Sequence, residues 1–250
     1  MIKEKLQQGE NVLGTWCLLP SADVINVIAK TGLDFVLLDM EHGAMSYETI
    51  LKMNYAAEAE GVSTIVRVGD RNEVEILKAL DTGCKGIIVP HIETKEQCEE
   101  AMSYIQFPPE GIRGFSPYTR SGAYHNYEGY TKEQNRKLLT GIIIEGEEGI
   151  SNIEEVINYP ALDVVYVGTY DISSMLGIAG QVNHPKVLDI LKECVEKIRK
   201  QGKIPGCMFS SLEEVKLFKE IGMQFMVYSV DSAVIYDGYK KVLEDWRKFV

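Results

Sequence analysis

The sequence predicts an α/β fold, a single-domain (β/α)8 TIM barrel, and three observations predict it. Short apolar, β-branched runs recur eight times; a helix-period segment follows each; and glycines stand where helices hand the chain back to strands. The runs cover 12–17, 34–39, 63–68, 85–90, 141–145, 163–168, 204–209 and 225–229. They are apolar throughout rather than alternating, as a parallel sheet covered on both faces requires. Helices are expected at 21–31, 46–60, 72–82, 94–106, 150–158, 185–202, 212–221 and 231–249, with a further N-terminal helix before the first strand. Gly32, Gly61, Gly83, Gly202 and Gly222 fall between a helix and the next strand, where a left-handed cap is wanted. A doubly wound sheet usually has fewer strands. No Pro/Ser/Gly-rich linker divides the chain, so 1–250 reads as one domain.

Two segments stand outside the regular pattern. Residues 107–139 carry Pro108-Pro109, Gly111, Gly114, Pro117 and Gly122 with four tyrosines, Tyr118, Tyr124, Tyr127 and Tyr130. Following strand four, this segment is expected on the strand-end face, as a lid or subunit contact, with a variable surface excursion as the alternative. The last helix carries Ile235, Tyr239, Val242, Trp246 and Phe249 as one apolar stripe. Packing on its own barrel is the simplest reading of that stripe, and packing on a neighbouring subunit the other.

Composition narrows the function. The chain has 250 residues and a formal net charge of -11, which argues against nucleic acid and anionic membrane as partners. Cysteines at 17, 84, 98, 194 and 207 include no Cys-x-x-Cys pair. Cys17 and Cys207 fall in or beside apolar strands, where buried free thiols are common, and this suits a reducing, cytoplasmic setting. No apolar run approaches the ~18 residues of a membrane span, and residues 1–9 have no apolar signal core.

In a barrel all strand ends open at one mouth, so residues far apart in sequence converge there. Strand two delivers Asp39, Glu41 and His42, and strand three Arg67. Strand four delivers Pro90 and His91, strand five Glu145, strand six Thr169 and Asp171, and strand eight Ser229 and Asp231. Glu145 and Asp171, two carboxylates from adjacent strands, suit Mg2+ or Mn2+ with water and substrate oxygens completing the shell. Helix capping, for which Asp171 before Ile172-Ser173-Ser174 is well placed, or pairing with an arginine is the competing explanation. Histidine exchanges protons near neutrality, and Asp39, three residues earlier, is placed to set the tautomer of His42. Glu41 is expected to point away, because successive residues at a strand end face opposite sides. Arg67 ends an otherwise apolar strand and needs an anion; a substrate carboxylate would serve, and pairing with Glu145 or Asp39 is the alternative. His91 has no obvious partner, and His184 before Pro185 reads as a helix-start turn. No lysine sits where a Schiff-base nucleophile needs it, and there is no Gly-x-Ser-x-Gly, Walker or Gly-x-Gly-x-x-Gly motif.

These residues resemble the HpcH/HpaI aldolase family, class II pyruvate aldolases of the phosphoenolpyruvate/pyruvate barrel superfamily. The resemblance runs over nearly the whole chain. It is carried by Asp-Met-Glu-His-Gly at 39–43, Val-Arg-Val at 66–68, Pro-Pro-Glu-Gly-Ile-Arg-Gly at 108–114, Ile-Glu at 144–145 and Gly-Thr-Tyr-Asp-Ile-Ser at 168–173, then Gly177 and His184-Pro185. It implies a carbon–carbon lyase that forms or cleaves a 2-keto acid through a pyruvate-type enolate. His42 would be the base and acid with Asp39 as its partner, and Arg67 the group that binds the keto acid and stabilises the enolate oxygen. Glu145 and Asp171 would hold the divalent metal, and the backbone of Gly168, Thr169 and Tyr170 would cradle the substrate carboxylate. It also implies a cytoplasmic homo-oligomer, a trimer or hexamer, with the C-terminal helix engaging a neighbour. Two features depart from the family: Ile143 stands where glutamine is common, and Gly168-Thr169-Tyr170-Asp171 replaces Gly-Pro-Ala-Asp. A lost amide and a gained phenol both touch the substrate pocket. Some relatives form citrate by condensation, so a synthase joining oxaloacetate to an acyl-thioester in a siderophore-type pathway is the second expectation.

Overall fold

Eight parallel strands close into one barrel in chain order in the computed structural model, which describes residues 2–125 and 127–250. The strands are β1 (Val12–Cys17), β2 (Phe35–Asp39), β3 (Ser63–Arg67), β4 (Gly86–Val89), β5 (Leu139–Ile144), β6 (Val164–Val167), β7 (Ile204–Phe209) and β8 (Phe225–Val230). All eight match the predicted runs to within two residues at either end. The short helix α1 (Ile2–Gln7) precedes β1 and buries Ile2 and Leu6 against the barrel interior.

Each strand is apolar on both faces for two different reasons. Leu37, Ile65, Ile88, Ile143, Val164 and Tyr166 belong to the cluster inside the barrel. Their neighbours Leu38, Val66, Ile87, Ile144 and Val165 pack outward into the layer beneath the helices. Period-two alternation is therefore present, but both sides lead away from water. Gly14 shows how tightly the interior is filled. A Cβ there would come within 2.4 Å of the Phe35 ring, which stacks on Phe225 at 4.4 Å between centroids.

Helices α2 (Ala22–Ala29), α3 (Tyr47–Glu58), α4 (Glu73–Asp81) and α5 (Lys95–Ile105) start at the mouth. Ser21, Ser46, Asn72 and Thr94 each accept a hydrogen bond from the backbone N–H three residues on. The glycines expected after helices all adopt the left-handed region, with φ from +70° to +89°. The five cysteines are free and buried.

Four expectations need correction. The helix expected over 150–158 is two short ones, α7 (Glu147–Ser151) and α8 (Ile153–Val156), broken at Asn152, whose φ of -95° and ψ of 8° lie outside the helical basin. Two helices follow β6 rather than one: α9 (Thr169–Met175) comes before α10 (Pro185–Lys200). The cap of α9 is Gly168, and Asp171 lies inside the first turn, so its carboxylate is not spent on capping.

The third correction concerns 107–139. This segment follows α5, which has already carried the chain to the far end of the barrel, so it packs under the barrel and not over the mouth. Arg113 stacks on Phe107 at 4.4 Å and pairs with Asp81, the last residue of α4, at 3.1 Å. Arg120 bonds the Thr82 carbonyl and Glu58 at the ends of α4 and α3, and the Tyr124 hydroxyl meets that of Tyr55. Its last part forms α6 (Tyr130–Lys137) and the start of β5; Asn126 lies outside the described residues. A lid over the site is excluded by this placement.

The fourth concerns the end of the chain. After α11 (Leu212–Ile221) and β8 comes α12 (Asp231–Trp246), which buries only Asp231. Tyr239 is 75 % exposed and Trp246 58 %, so the apolar stripe does not pack on its own barrel.

Candidate active site

β2 and β3 run in register so that Asp39 lies beside Arg67. The guanidinium takes hold of the carboxylate at both ends: Nε donates to Oδ1 at 2.9 Å and Nη2 to Oδ2. Nη1 lies 2.9 Å from Glu41 Oε2, an ion pair whose alignment falls short of a hydrogen bond. Burial works against the Arg67 charge, and Asp39, Glu41 and Glu145 outweigh it, so the group is held above its usual range. Below it the Trp16 ring lies 4.5 Å away.

Asp39 does a second job. Its Oδ1 also accepts from the backbone N–H of Glu41 at 3.0 Å and of His42 at 3.2 Å. That Asx turn ends β2 and swings the chain across the mouth. Gly43 completes it, since a Cβ there would sit 2.2 Å from the Asp39 carbonyl oxygen. His42 emerges at the rim with its side chain 68 % exposed, Nε2 lying 3.8 Å from Glu41 Oε1. The hydrogen bonds of Asp39 therefore go to Arg67 and to backbone, and the carboxylate beside the His42 ring is that of Glu41.

On the other side of the mouth, Glu145 follows β5 and Asp171 lies in α9. Gly168 lets them meet. A Cβ at 168 would be 2.8 Å from Glu145 Cβ, 3.3 Å from Glu145 Oε2 and 3.5 Å from Asp171 Oδ2. Only a residue without a side chain leaves both carboxylates facing the same small volume. Burial raises the Glu145 carboxyl above its ordinary range; His91 opposes the rise, and the nearby Asp171 and Glu41 charges add to it. Such surplus negative charge is what a cation would relieve.

His91 links the two sides. Its Nδ1 is 2.7 Å from Glu145 Oε1 and its Nε2 is 2.9 Å from Glu41 Oε1. Its backbone N–H also donates to Glu145 at 3.0 Å, with φ at +55°. So two expectations fail: Glu41 turns inward to Arg67 and His91, and His91 has partners. Alternation lapsed at Glu41 because the Asx turn replaces extended strand there. Pro90 and the left-handed backbone re-aim His91 in a way that no periodicity reveals.

These groups surround a cleft of about 200 Å3, lined by Asp39, His42, Arg67, Glu145, Asp171 and Gly168 to Tyr170, with Trp16, Ile143, Tyr166 and Met208 deeper. A larger cavity of about 550 Å3 lies at the opposite end, among Tyr55, Arg120 and Tyr124, and contains none of them. Asp231 is not part of the cleft lining; it accepts from the backbone of Leu18 and Leu19 and so ties the loop after β1. His184 caps α10 through Lys186 N–H. Trp16 and Tyr166 were not anticipated; both are aromatics within apolar strands, where core packing is the default reading.

Among the described residues no three His, Cys, Asp or Glu side chains form a cage for a metal. Two carboxylates converging over a glycine fit a hard divalent ion that keeps several waters and binds few protein oxygens.

Comparison with known proteins gives four matches. The HpcH/HpaI aldolase/citrate lyase family model matches residues 13–237. A hydroxypyruvate/pyruvate aldolase from Sagittula stellata is 30% identical over 234 residues, 93% of this chain and 92% of that protein. Among crystal structures, an HpcH/HpaI aldolase from Desulfitobacterium hafniense aligns with a TM-score of 0.93 at 26% identity, covering 99% of this chain and 96% of that one. The citrate synthase SbnG aligns with a TM-score of 0.91 at 29% identity, over 99% and 97% respectively.

Proposed function

The chain belongs to the HpcH/HpaI aldolase/citrate lyase family, and from that premise we propose a carbon–carbon lyase that forms or cleaves a 2-keto acid through a pyruvate-type enolate. The observation that carries this reading is the seat made by Gly168 for Glu145 and Asp171, across the cleft from the buried guanidinium of Arg67. Anion-stabilising charge and metal-binding oxygen then border one small volume.

Each group has a role. Glu145 and Asp171 would hold a divalent ion, Mg2+ or Mn2+, which when bound supplies Lewis acidity to the keto oxygen. The N–H groups of Thr169 and Tyr170, at the start of α9, receive the substrate carboxylate, with Gly168 allowing its close approach. Arg67 places fixed positive charge where enolate charge develops, and Asp39 and Glu41 keep the fork from turning away. His42, at the open rim, exchanges the proton of the second substrate as the carbon–carbon bond forms or breaks. Asp39 serves His42 through its backbone, as the acceptor that shapes the turn.

A second reading, a citrate-forming condensation of oxaloacetate with an acyl-thioester, keeps the same enolate core. The likeness to SbnG at 29% identity supports it. The test uses metal-loaded protein in two assays: pyruvate release from a 4-hydroxy-2-keto acid, and citrate formation from oxaloacetate and acetyl-CoA. Pyruvate release is the expected result. Citrate without pyruvate selects the second reading, and neither product removes both.

The whole of 1–250 acts as one domain in this proposal and as a trimer or hexamer. Support comes from α12, where Ile235, Tyr239, Val242 and Trp246 are exposed on a helix that needs cover. Sedimentation should give a closed oligomer, and Tyr239→Glu with Trp246→Glu should shift it toward monomer; a monomeric wild type at micromolar concentration would sink the idea. Among the described residues no helix is long and apolar enough to cross a membrane, and five buried free thiols support a cytoplasmic location.

A further inference from the structure

One polar group inside the barrel has no part in the roles above. Tyr166 is 5% exposed and sits in the interior layer, opposite Ile143 on β5 and Gly206 on β7. Neither neighbour offers a polar side chain. The phenol oxygen accepts a hydrogen bond from Trp16 Nε1 at 3.0 Å, and the two rings meet edge to face at 5.6 Å between centroids.

The bookkeeping of that bond is informative. An indole N–H only donates, so it occupies a lone pair of the hydroxyl and leaves the phenolic proton unused. Among the described residues the hydroxyl makes no other hydrogen bond. A buried donor without an acceptor is costly, and the open volume beside Tyr166 is the cleft it shares with Arg67 and Glu145. The Trp16 ring that anchors the phenol also carries the Arg67 guanidinium, 4.5 Å from its centroid. One indole thus places both donors along the same wall. Burial above all, with Cys207 and Glu145 adding to it, keeps the phenol above its ordinary range despite Trp16 and Arg67, so it stays a donor.

We infer that the Tyr166 hydroxyl donates a hydrogen bond to the substrate oxygen on which enolate charge collects, beside Arg67, and that Trp16 is the positioning residue that aims it. The inference rests on the enolate chemistry proposed above. It makes Tyr166 a catalytic residue supplied by the barrel floor rather than by a loop at the mouth.

The test is Tyr166→Phe in the metal-loaded full chain, which removes one oxygen and keeps the ring. Exchange of pyruvate methyl protons with deuterated water, followed by NMR, reads enolate formation without a second substrate. The expected result is a kcat lower by about tenfold to a hundredfold with KM within about twofold. Binding of oxalate, a planar dianion shaped like the enolate, should weaken by a similar factor in calorimetry. Trp16→Phe, which keeps an aromatic ring under Arg67 but loses the N–H, should fall in the same direction with a smaller loss. A folded Tyr166→Phe protein with unchanged exchange and oxalate affinity overturns the inference, and so does a change confined to KM. A wild-type protein that exchanges no 2-keto acid protons overturns the proposed function itself and this inference with it, so the two failures are told apart.

Discussion

Arg67→Ala is expected to remove turnover and to destabilise the barrel together, by a factor of about 10²–10³ in kcat and by about 3–5 kcal/mol in folding free energy. Both effects follow from one arrangement. Arg67 is 8% exposed and its principal partner Asp39 1%, so removing the guanidinium leaves a buried carboxylate uncompensated, with Glu41 beside it. The energetic loss is the cost of that orphaned charge more than the worth of the pair. Arg67→Lys keeps a charge but lacks the planar fork that grips both oxygens of Asp39. It should recover part of the stability and little of the rate. His42→Ala is the informative contrast. With its side chain 68 % exposed, it should alter stability by no more than about 0.5 kcal/mol while costing about 10²–10⁴ in rate. Urea melts and steady-state kinetics on the three variants separate the effects. An Arg67→Ala protein as stable as wild type would refute the buried pair, and a fully active one would remove Arg67 from the site.

Asp171→Asn and Glu145→Gln form the second large expectation. Each removes one of the two carboxylates that meet over Gly168, and each should lower Mn2+ affinity by at least about a hundredfold, with activity lost in proportion. Glu145 adds a signature in pH. Its carboxyl is raised above the ordinary range by burial, with Asp171 and Glu41 contributing and His91 opposing. A raised acid contributes stability that is fully present below its unfolded pKa and is lost as pH rises through the folded value. Metal-free protein should therefore become more stable, as far as Glu145 decides it, when pH falls from neutral into the carboxylate range. Metal affinity should move the opposite way, because protons and metal compete for the same oxygen. Glu145→Gln should flatten both trends. Calorimetric Mn2+ titration and melting in chelator across that range are the measurements. Wild-type affinity in either variant, or full activity after exhaustive chelation, would end the metal assignment.

Much of the architecture was legible along the chain. The eight apolar runs stand out because a strand covered on both faces has no polar position to interrupt it, as in Val164–Val167. Ser46 and Asn72 announce helix starts because capping is decided by neighbours three residues away. Asp39, His42, Arg67, Glu145 and Asp171 could be singled out because each is a polar residue at or just beyond a strand end, and a barrel brings such positions to one cleft. The misplaced segment 107–139 has an equally physical cause. A helix over 94–106 is legible before this segment, but the end of the barrel a loop occupies follows from the helix α5 that has already returned the chain, not from the strand before it. Arg113 and Arg120 show which end it occupies only through partners on α3 and α4.

The sequence by itself determined the barrel, the family and five of the residues that line the cleft, Asp39, His42, Arg67, Glu145 and Asp171. These rest on periodicity, capping and motif spacing, which are local properties carried along the chain. Tertiary structure alone decided the pairings: Arg67 with Asp39 and Glu41, His91 between Glu41 and Glu145, and the Tyr166 hydroxyl held by Trp16. It also decided that α12 stands away from its own barrel. Hydrogen bonds and ion pairs form or fail over a few tenths of an ångström between residues as far apart as Trp16 and Tyr166, 150 positions, and no pattern in one strand encodes what the next will place beside it.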